Sequence, residues 1–122
     1  MQQIELKHYY PAGGSSSEER LINDISTTGK AGVLLGRVML PNTTAVQKVI
    51  IYELLLENGN IDIRTIPALC PHQGADISED KLKADGNVYC SWHRRPICVY
   101  SEYNQAFAVE KRGDDYILLC SN

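Results

Sequence analysis

The chain has 122 residues, of which 43% are hydrophobic and 22% are charged, and it carries a net charge of −3. This length and balance predict one folded domain with a hydrophobic core and argue against intrinsic disorder. The negative charge excludes the basic footprint of a nucleic-acid-binding protein, and it suits transient docking with partners of complementary charge.

The sequence contains no candidate membrane segment or targeting segment. Its longest apolar run, from Val49 to Leu56, is interrupted by Glu53, whereas a spanning helix needs about 20 apolar residues. The start, from Met1 to Glu5, lacks the basic and apolar regions of a signal peptide. We therefore predict a cytoplasmic protein, in which cysteines are more typical of metal binding or catalysis than of disulfides.

The first 32 residues are predicted to be a lead-in that packs on the same domain as the rest of the chain. Apolar and polar residues alternate over 4–8, which predicts a short edge strand. Two overlapping capping boxes begin at Ser15 and Ser16 and predict a short helix over 18–23.

Residues 33–122 form the main predicted domain, a series of short strands separated by turns. The predicted strands cover 33–40, 46–56, 61–66, 88–89, 97–100, 106–110 and 116–119. Asn58-Gly59 is a strong hairpin signal, because both residue types readily adopt positive φ. Within 61–66 the alternation makes one face of the strand more polar than the other. Many short strands with frequent turns predict an all-β antiparallel sandwich or small barrel.

Two short segments in this domain each combine one cysteine with one histidine. The first reads Cys70-Pro71-His72, and the second, after 17 intervening residues, reads Cys90-Ser91-Trp92-His93. Together they supply two thiolates and two imidazoles that a β framework can bring together. Thiolates stabilise ferric iron, and replacing two of four thiolates by neutral imidazoles makes an iron–sulfur site less negative and raises its potential.

The motifs Cys-Pro-His-Gln-Gly at 70–74 and Cys-Ser-Trp-His at 90–93 resemble those of Rieske ferredoxins, in the branch that serves oxygenases. The resemblance covers roughly residues 33–119. It implies a Rieske-like antiparallel β-sandwich with a two-loop cluster-binding subdomain and one [2Fe–2S] cluster per chain. The ligands it implies are Cys70, His72, Cys90 and His93. It places both cysteines on the inner iron and both histidines on the outer, more exposed iron.

Two departures from the family pattern concern the same loops. Ala75 and Trp92 stand where respiratory Rieske proteins have the cysteines of an inter-loop disulfide, so the chain is more similar to the lower-potential ferredoxins. Arg94 and Arg95 follow His93, where the family usually has glycine. A guanidinium near the cluster would favour the reduced state, and alternatively either arginine could dock a partner carboxylate.

The resemblance implies an electron-transfer protein rather than an enzyme. Its expected donor is a flavin-dependent reductase, its acceptor is an oxygenase or hydroxylase, and the free protein is expected to be a soluble monomer. Beyond the two ligand histidines only His8 remains, so a mononuclear iron site with two histidines and a carboxylate is excluded. A Gly-x-Gly-x-x-Gly motif for a flavin or nicotinamide is also missing from the sequence.

Several alternatives remain open from the sequence. The chain could be a permanent small subunit of a larger oxidoreductase, similar to the Rieske-like small subunits of nitrite reductases, or a redox sensor. Two cysteines and two histidines also form a structural zinc set, although zinc fingers usually pair like ligands within each loop. A disulfide between Cys70 and Cys90 would leave the neighbouring histidines unexplained. Of the other cysteines, Cys98 is predicted to be a small buried hydrophobe and Cys120 to have no special role.

Overall fold

The structure is a computed structural model whose described residues form an antiparallel β-architecture. These residues are 2–3, 13, 18–28, 32–40, 45–55, 59, 61–68, 87–89, 96–99 and 106–119. Within these ranges the chain forms nine strands and no helix. The strands are β1 (Gln2–Gln3), β2 (Arg20–Thr27), β3 (Val33–Met39), β4 (Val46–Leu55), β5 (Ile61–Pro67), β6 (Asn87–Tyr89), β7 (Pro96–Cys98), β8 (Phe107–Arg112) and β9 (Asp115–Leu118). No helix able to cross a membrane occurs in the described ranges.

Six of the strands close into a barrel. Their order is β4-β3-β2-β9-β8-β5, and β5 pairs back onto β4. Every pair in this ring is antiparallel. Strand β1 adds to β4 in parallel, and β6 and β7 form a separate two-stranded sheet. The prediction of an all-β antiparallel fold is therefore confirmed, and a closed ring leaves the barrel strands few unpaired edges.

Two hairpins of the barrel follow the turn signals of the sequence. Strands β4 and β5 pair up to Leu55 and Ile61, and Gly59 in their connection has a φ of 86°. Strands β8 and β9 are joined by Gly113 and Asp114, with Gly113 at a φ of 62°. Glycine adopts these positive φ values without steric cost. The hairpin predicted from Asn58-Gly59 is thus confirmed.

The short helix predicted over 18–23 is wrong. Arg20–Thr27 is instead strand β2, which lies between β3 and β9. Ile22 pairs with Tyr116 of β9 and is 2% exposed. Backbone hydrogen bonds on both edges and the burial of Ile22 outweigh the local capping signal, which stabilises a helix end only weakly.

Two further predictions concern the first 32 residues, namely a strand over 4–8 and a boundary at residue 33. The edge strand expected over 4–8 lies outside the described residues. Strand β2 belongs to the barrel although it precedes residue 33. The division into a lead-in of 1–32 and a main domain of 33–122 stays a prediction.

The barrel interior is an apolar core to which all six barrel strands contribute. Its buried residues are Ile22, Val38, Leu40, Val49, Ile51, Ile63, Val109, Tyr116 and Leu118. Because successive strand residues point to opposite faces, each strand supplies this core with alternate residues. The core brings together residues that are far apart in sequence. Removing their apolar side chains from water is the main source of the stability of the barrel.

Strands β4 and β5 are buried on their outer face as well. Ile50, Tyr52 and Leu54 alternate with the interior residues of β4, and all three are at most 2% exposed. Arg64 and Ile66 of β5 lie opposite Tyr52 and Ile50 and are also buried. A strand buried on both faces has a second layer packed against it. The face of β5 that the sequence marks as more polar is therefore covered.

One polar pair lies at the edge of the barrel core. The Tyr116 hydroxyl donates a hydrogen bond of 2.9 Å to the carboxylate of Glu53. Burial of the phenol, followed by its hydrogen bond to Glu53 and the charge of that carboxylate, raises the pKa of Tyr116 to about 12 from an ordinary 10.0. The folded protein therefore holds this proton more tightly than the unfolded chain does.

We expect this pair to make the stability of the protein fall in alkaline solution. Above pH 10 the unfolded chain loses the Tyr116 proton while the folded chain keeps it up to about pH 12. The free energy of unfolding should then fall by at most about 1.4 kcal/mol per pH unit in this window. Urea unfolding at several pH values checks this, and Tyr116→Phe should show a shallower decline. An equally steep decline in Tyr116→Phe would assign the effect to other groups.

Candidate metal centre

The second predicted ligand segment lies in the connection of a small hairpin. Strands β6 and β7 pair antiparallel, with Asn87 opposite Cys98 and Tyr89 opposite Pro96. The connection between them is 90–95, which begins with Cys90 and includes His93. Pairing of the two strands therefore holds the two ends of this segment side by side. The sequence between the two paired strands contains one predicted thiolate and one predicted imidazole.

The first predicted ligand segment begins at the end of β5. Ala68 directly follows this strand, is fully buried, and donates its backbone N–H to the Lys48 carbonyl oxygen over 3.0 Å. Cys70 comes two residues later and His72 two residues after that. The barrel thus fixes the chain immediately before this segment.

The four predicted ligands themselves lie outside the described residues, as do Arg94 and Arg95. Among the residues that are described, no group of three or more His, Cys, Asp or Glu side chains is placed to hold a metal ion. Cys98 lies in β7, but the prediction about its side chain falls outside what is described. The assignment of Cys70, His72, Cys90 and His93 as ligands stays a prediction.

The donor set nevertheless fits an iron–sulfur cluster with mixed ligation. Two thiolates and two imidazoles are the set that a Rieske-type [2Fe–2S] centre uses. Each segment is adjacent in sequence to the end of a β-strand. The Cys70/His72 segment follows β5, and the Cys90/His93 segment connects β6 to β7. Rigid strand ends are the usual supports of metal-binding loops.

A buried arginine that the sequence interpretation did not single out links these two supports. Arg64 of β5 is fully buried, and its Nη1 donates a hydrogen bond of 2.9 Å to the carbonyl oxygen of Val99. Its Nε donates to Oδ2 of Asp62, also over 2.9 Å. Val99 directly follows β7 and is itself fully buried. In the sequence Arg64 belongs to the more polar face of its strand, a pattern that does not predict burial.

Comparison with models of known protein families identifies a domain in this chain. A family model described as the Rieske [2Fe-2S] domain matches residues 32–112 of the chain. The matched part begins just before β3, ends with β8 and contains both Cys/His segments. No curated protein and no solved structure matches the chain.

Proposed function

The chain belongs to the Rieske [2Fe–2S] domain family, and we propose that it carries single electrons from a flavin-dependent reductase to an oxygenase or hydroxylase. Family membership supports an iron–sulfur electron-transfer role, and a carrier rather than a catalyst. The observation that carries the proposal is the match over 32–112, which includes both Cys/His segments.

Each of the four predicted ligands has a role in the proposed cluster site. Cys70 and Cys90 would hold the inner iron, and His72 and His93 would hold the outer iron. When bound, the [2Fe–2S] cluster supplies one-electron oxidation and reduction. The two thiolates contribute two negative charges and the neutral imidazoles contribute none, so this ligand set is less negative than four thiolates.

The partners follow from what the chain leaves to other proteins. Of its three histidines only His8 is not a proposed ligand, whereas a mononuclear oxygenase iron needs two histidines and a carboxylate. Oxidation of a substrate therefore belongs to the acceptor, and oxidation of a nicotinamide belongs to the donor. The net charge of −3 suits transient docking with partners of complementary charge. We propose a cytoplasmic monomer that meets each partner in turn.

Reduction by a reductase tests the carrier function. Purified protein mixed with NADH and the flavin-dependent reductase of a Rieske oxygenase system should lose its red-brown colour, with one electron taken up per chain. Once the NADH has been used up, adding an excess of the oxidised oxygenase of that system should take one electron per chain from the cluster and restore the colour. A cluster that is reduced by dithionite but by no reductase, or constant co-purification with a larger oxidoreductase, would contradict the carrier.

Electron paramagnetic resonance tests whether the cluster has both cysteine and histidine ligands. The electron paramagnetic resonance spectrum of dithionite-reduced protein should show a lower average g value than an all-cysteine cluster. Colourless protein that contains zinc would contradict the cluster altogether, because bound zinc has no visible absorption.

A further inference from the structure

The guanidinium of Arg64 occupies an unusual place for a cation. Its side chain is 1% exposed, and that of its carboxylate partner Asp62 is 17% exposed. Arg64 lies on the outer face of β5, directly opposite the buried Tyr52 of β4. Removing a charged pair from water has a large desolvation cost, which direct hydrogen bonds must offset.

Stability alone does not explain an arginine at this position. Buried ion pairs can often be replaced by apolar residues of similar size without loss of stability. The flanking residues of β4 and β5, such as Tyr52 and Ile66, already form an apolar layer. Arginine presents its donors in a fixed plane, so its hydrogen bonds can set a geometry that an apolar residue cannot.

Two hydrogen bonds of Arg64, to Val99 and to Asp62, join two supports of the ligand segments. One support is β5, which carries Arg64 and Asp62 and runs to Pro67, three residues before Cys70. The other is the chain at Val99, which follows β7 and lies six residues after His93. The bond from Nη1 to the Val99 carbonyl oxygen is buried and joins residues 35 positions apart. The bond from Nε to Asp62 keeps the guanidinium oriented.

We propose that Arg64 is a positioning residue for the cluster. Its guanidinium holds the strand that follows the Cys90/His93 segment against the strand that precedes the Cys70/His72 segment. In this way it sets the separation of the two ligand segments and the retention of the cluster between them. The inference rests on the proposed function, since it assumes that these segments hold a [2Fe–2S] cluster.

The lifetime of the cluster in the intact protein tests this role. Arg64→Met keeps the unbranched apolar stem of the side chain but removes the guanidinium and its hydrogen bonds to Val99 and Asp62. We expect it to lose its visible absorption about tenfold to 100-fold faster than the parent in the presence of an iron chelator, as supporting residues of metal ligands do. Its reduced electron paramagnetic resonance spectrum should broaden, because the ligand segments become less uniformly placed. Arg37→Met, an exposed arginine of β3, should behave as the parent in both measurements.

A lysine at the same position separates geometry from charge. Arg64→Lys keeps the positive charge, but its single ammonium cannot reproduce the planar fork that donates to both Asp62 and Val99. Fast cluster loss in Arg64→Lys supports positioning. Full rescue of lifetime and spectrum by lysine would overturn it and leave only a role for the charge.

Further outcomes test the role of Arg64 and the presence of the cluster. If Arg64→Met unfolds, Asp62→Asn takes its place, since it weakens the orientation of the guanidinium while keeping the donor to Val99, and cluster loss faster than in the parent is then expected. A variant with a lower melting temperature but the lifetime and spectrum of the parent would show that Arg64 is merely structural. Parent protein that binds no iron and sulfide would instead refute the proposed function itself.

Discussion

Replacing His72 or His93 by alanine is expected to abolish the visible absorption of the protein. Each imidazole is proposed as a ligand of the cluster, and alanine cannot replace it, so the assembled cluster should be lost. The β-sheet signal in far-ultraviolet circular dichroism should persist, because the barrel core is built from residues of β2–β5, β8 and β9 and their immediate flanks. Absorption spectra and iron analysis of the purified variants measure the first effect, and circular dichroism measures the second.

Matched substitutions identify which donors matter. His8→Ala and Cys98→Ser should keep the colour, whereas Cys70→Ser and Cys90→Ser should lose it. If colour is lost with either cysteine variant but retained with both histidine variants, the cluster is all-sulfur and uses Cys98 or Cys120. That result would contradict Rieske ligation while leaving an iron–sulfur protein.

Truncating Leu118 to alanine is expected to destabilise the folded protein strongly. Leu118 is fully buried in the barrel interior, and it pairs with Arg20 of β2 and Val109 of β8. Removing its side chain leaves a cavity between strands, which should lower the free energy of unfolding by about 2–5 kcal/mol. Urea unfolding followed by circular dichroism measures this change.

Leu21→Ala is the matched control, because it makes the same chemical change on β2 at a side chain that is 47% exposed. It should change the free energy of unfolding by no more than about 1 kcal/mol. Leu118→Ala should also keep the reduced electron paramagnetic resonance spectrum of the parent, since the barrel interior lies on the other face of the wall from Arg64. Equal losses for the two leucine variants would contradict the observed inside and outside of the barrel.

Local signals explain which strands could be predicted. Strands β3, β4 and β5 follow apolar runs or alternation that end at turn residues such as Gly59, and these features act within a few residues of the chain. Strand β2 was missed because its hydrogen-bond partners are in β3 and β9. A capping signal at Ser15 and Ser16 is local, whereas the pairing that overrides it joins residues nearly 100 positions apart, as Arg20 and Leu118 show.

The candidate site, like the fold, could be predicted from the sequence only in part. Ligand chemistry depends on residue type and spacing, so Cys70, His72, Cys90 and His93 could be named before any fold was known. Burial depends on what packs against a residue, and no local pattern distinguishes Arg64 from an arginine on an exposed strand face. Its interaction with Val99 joins β5 to the chain after β7, and such a contact exists only once the second layer covers the barrel wall.

The sequence by itself determined the all-β class, most of the strands from Val33 onward and the Rieske resemblance, because alternation, turn residues and ligand types act locally. Only the tertiary structure decided that six strands close into a barrel, that β2 belongs to it, and that Arg64 is buried between two layers. These features arise from hydrogen bonds and apolar contacts between distant segments, whose free energy depends on neighbours that the local sequence does not specify.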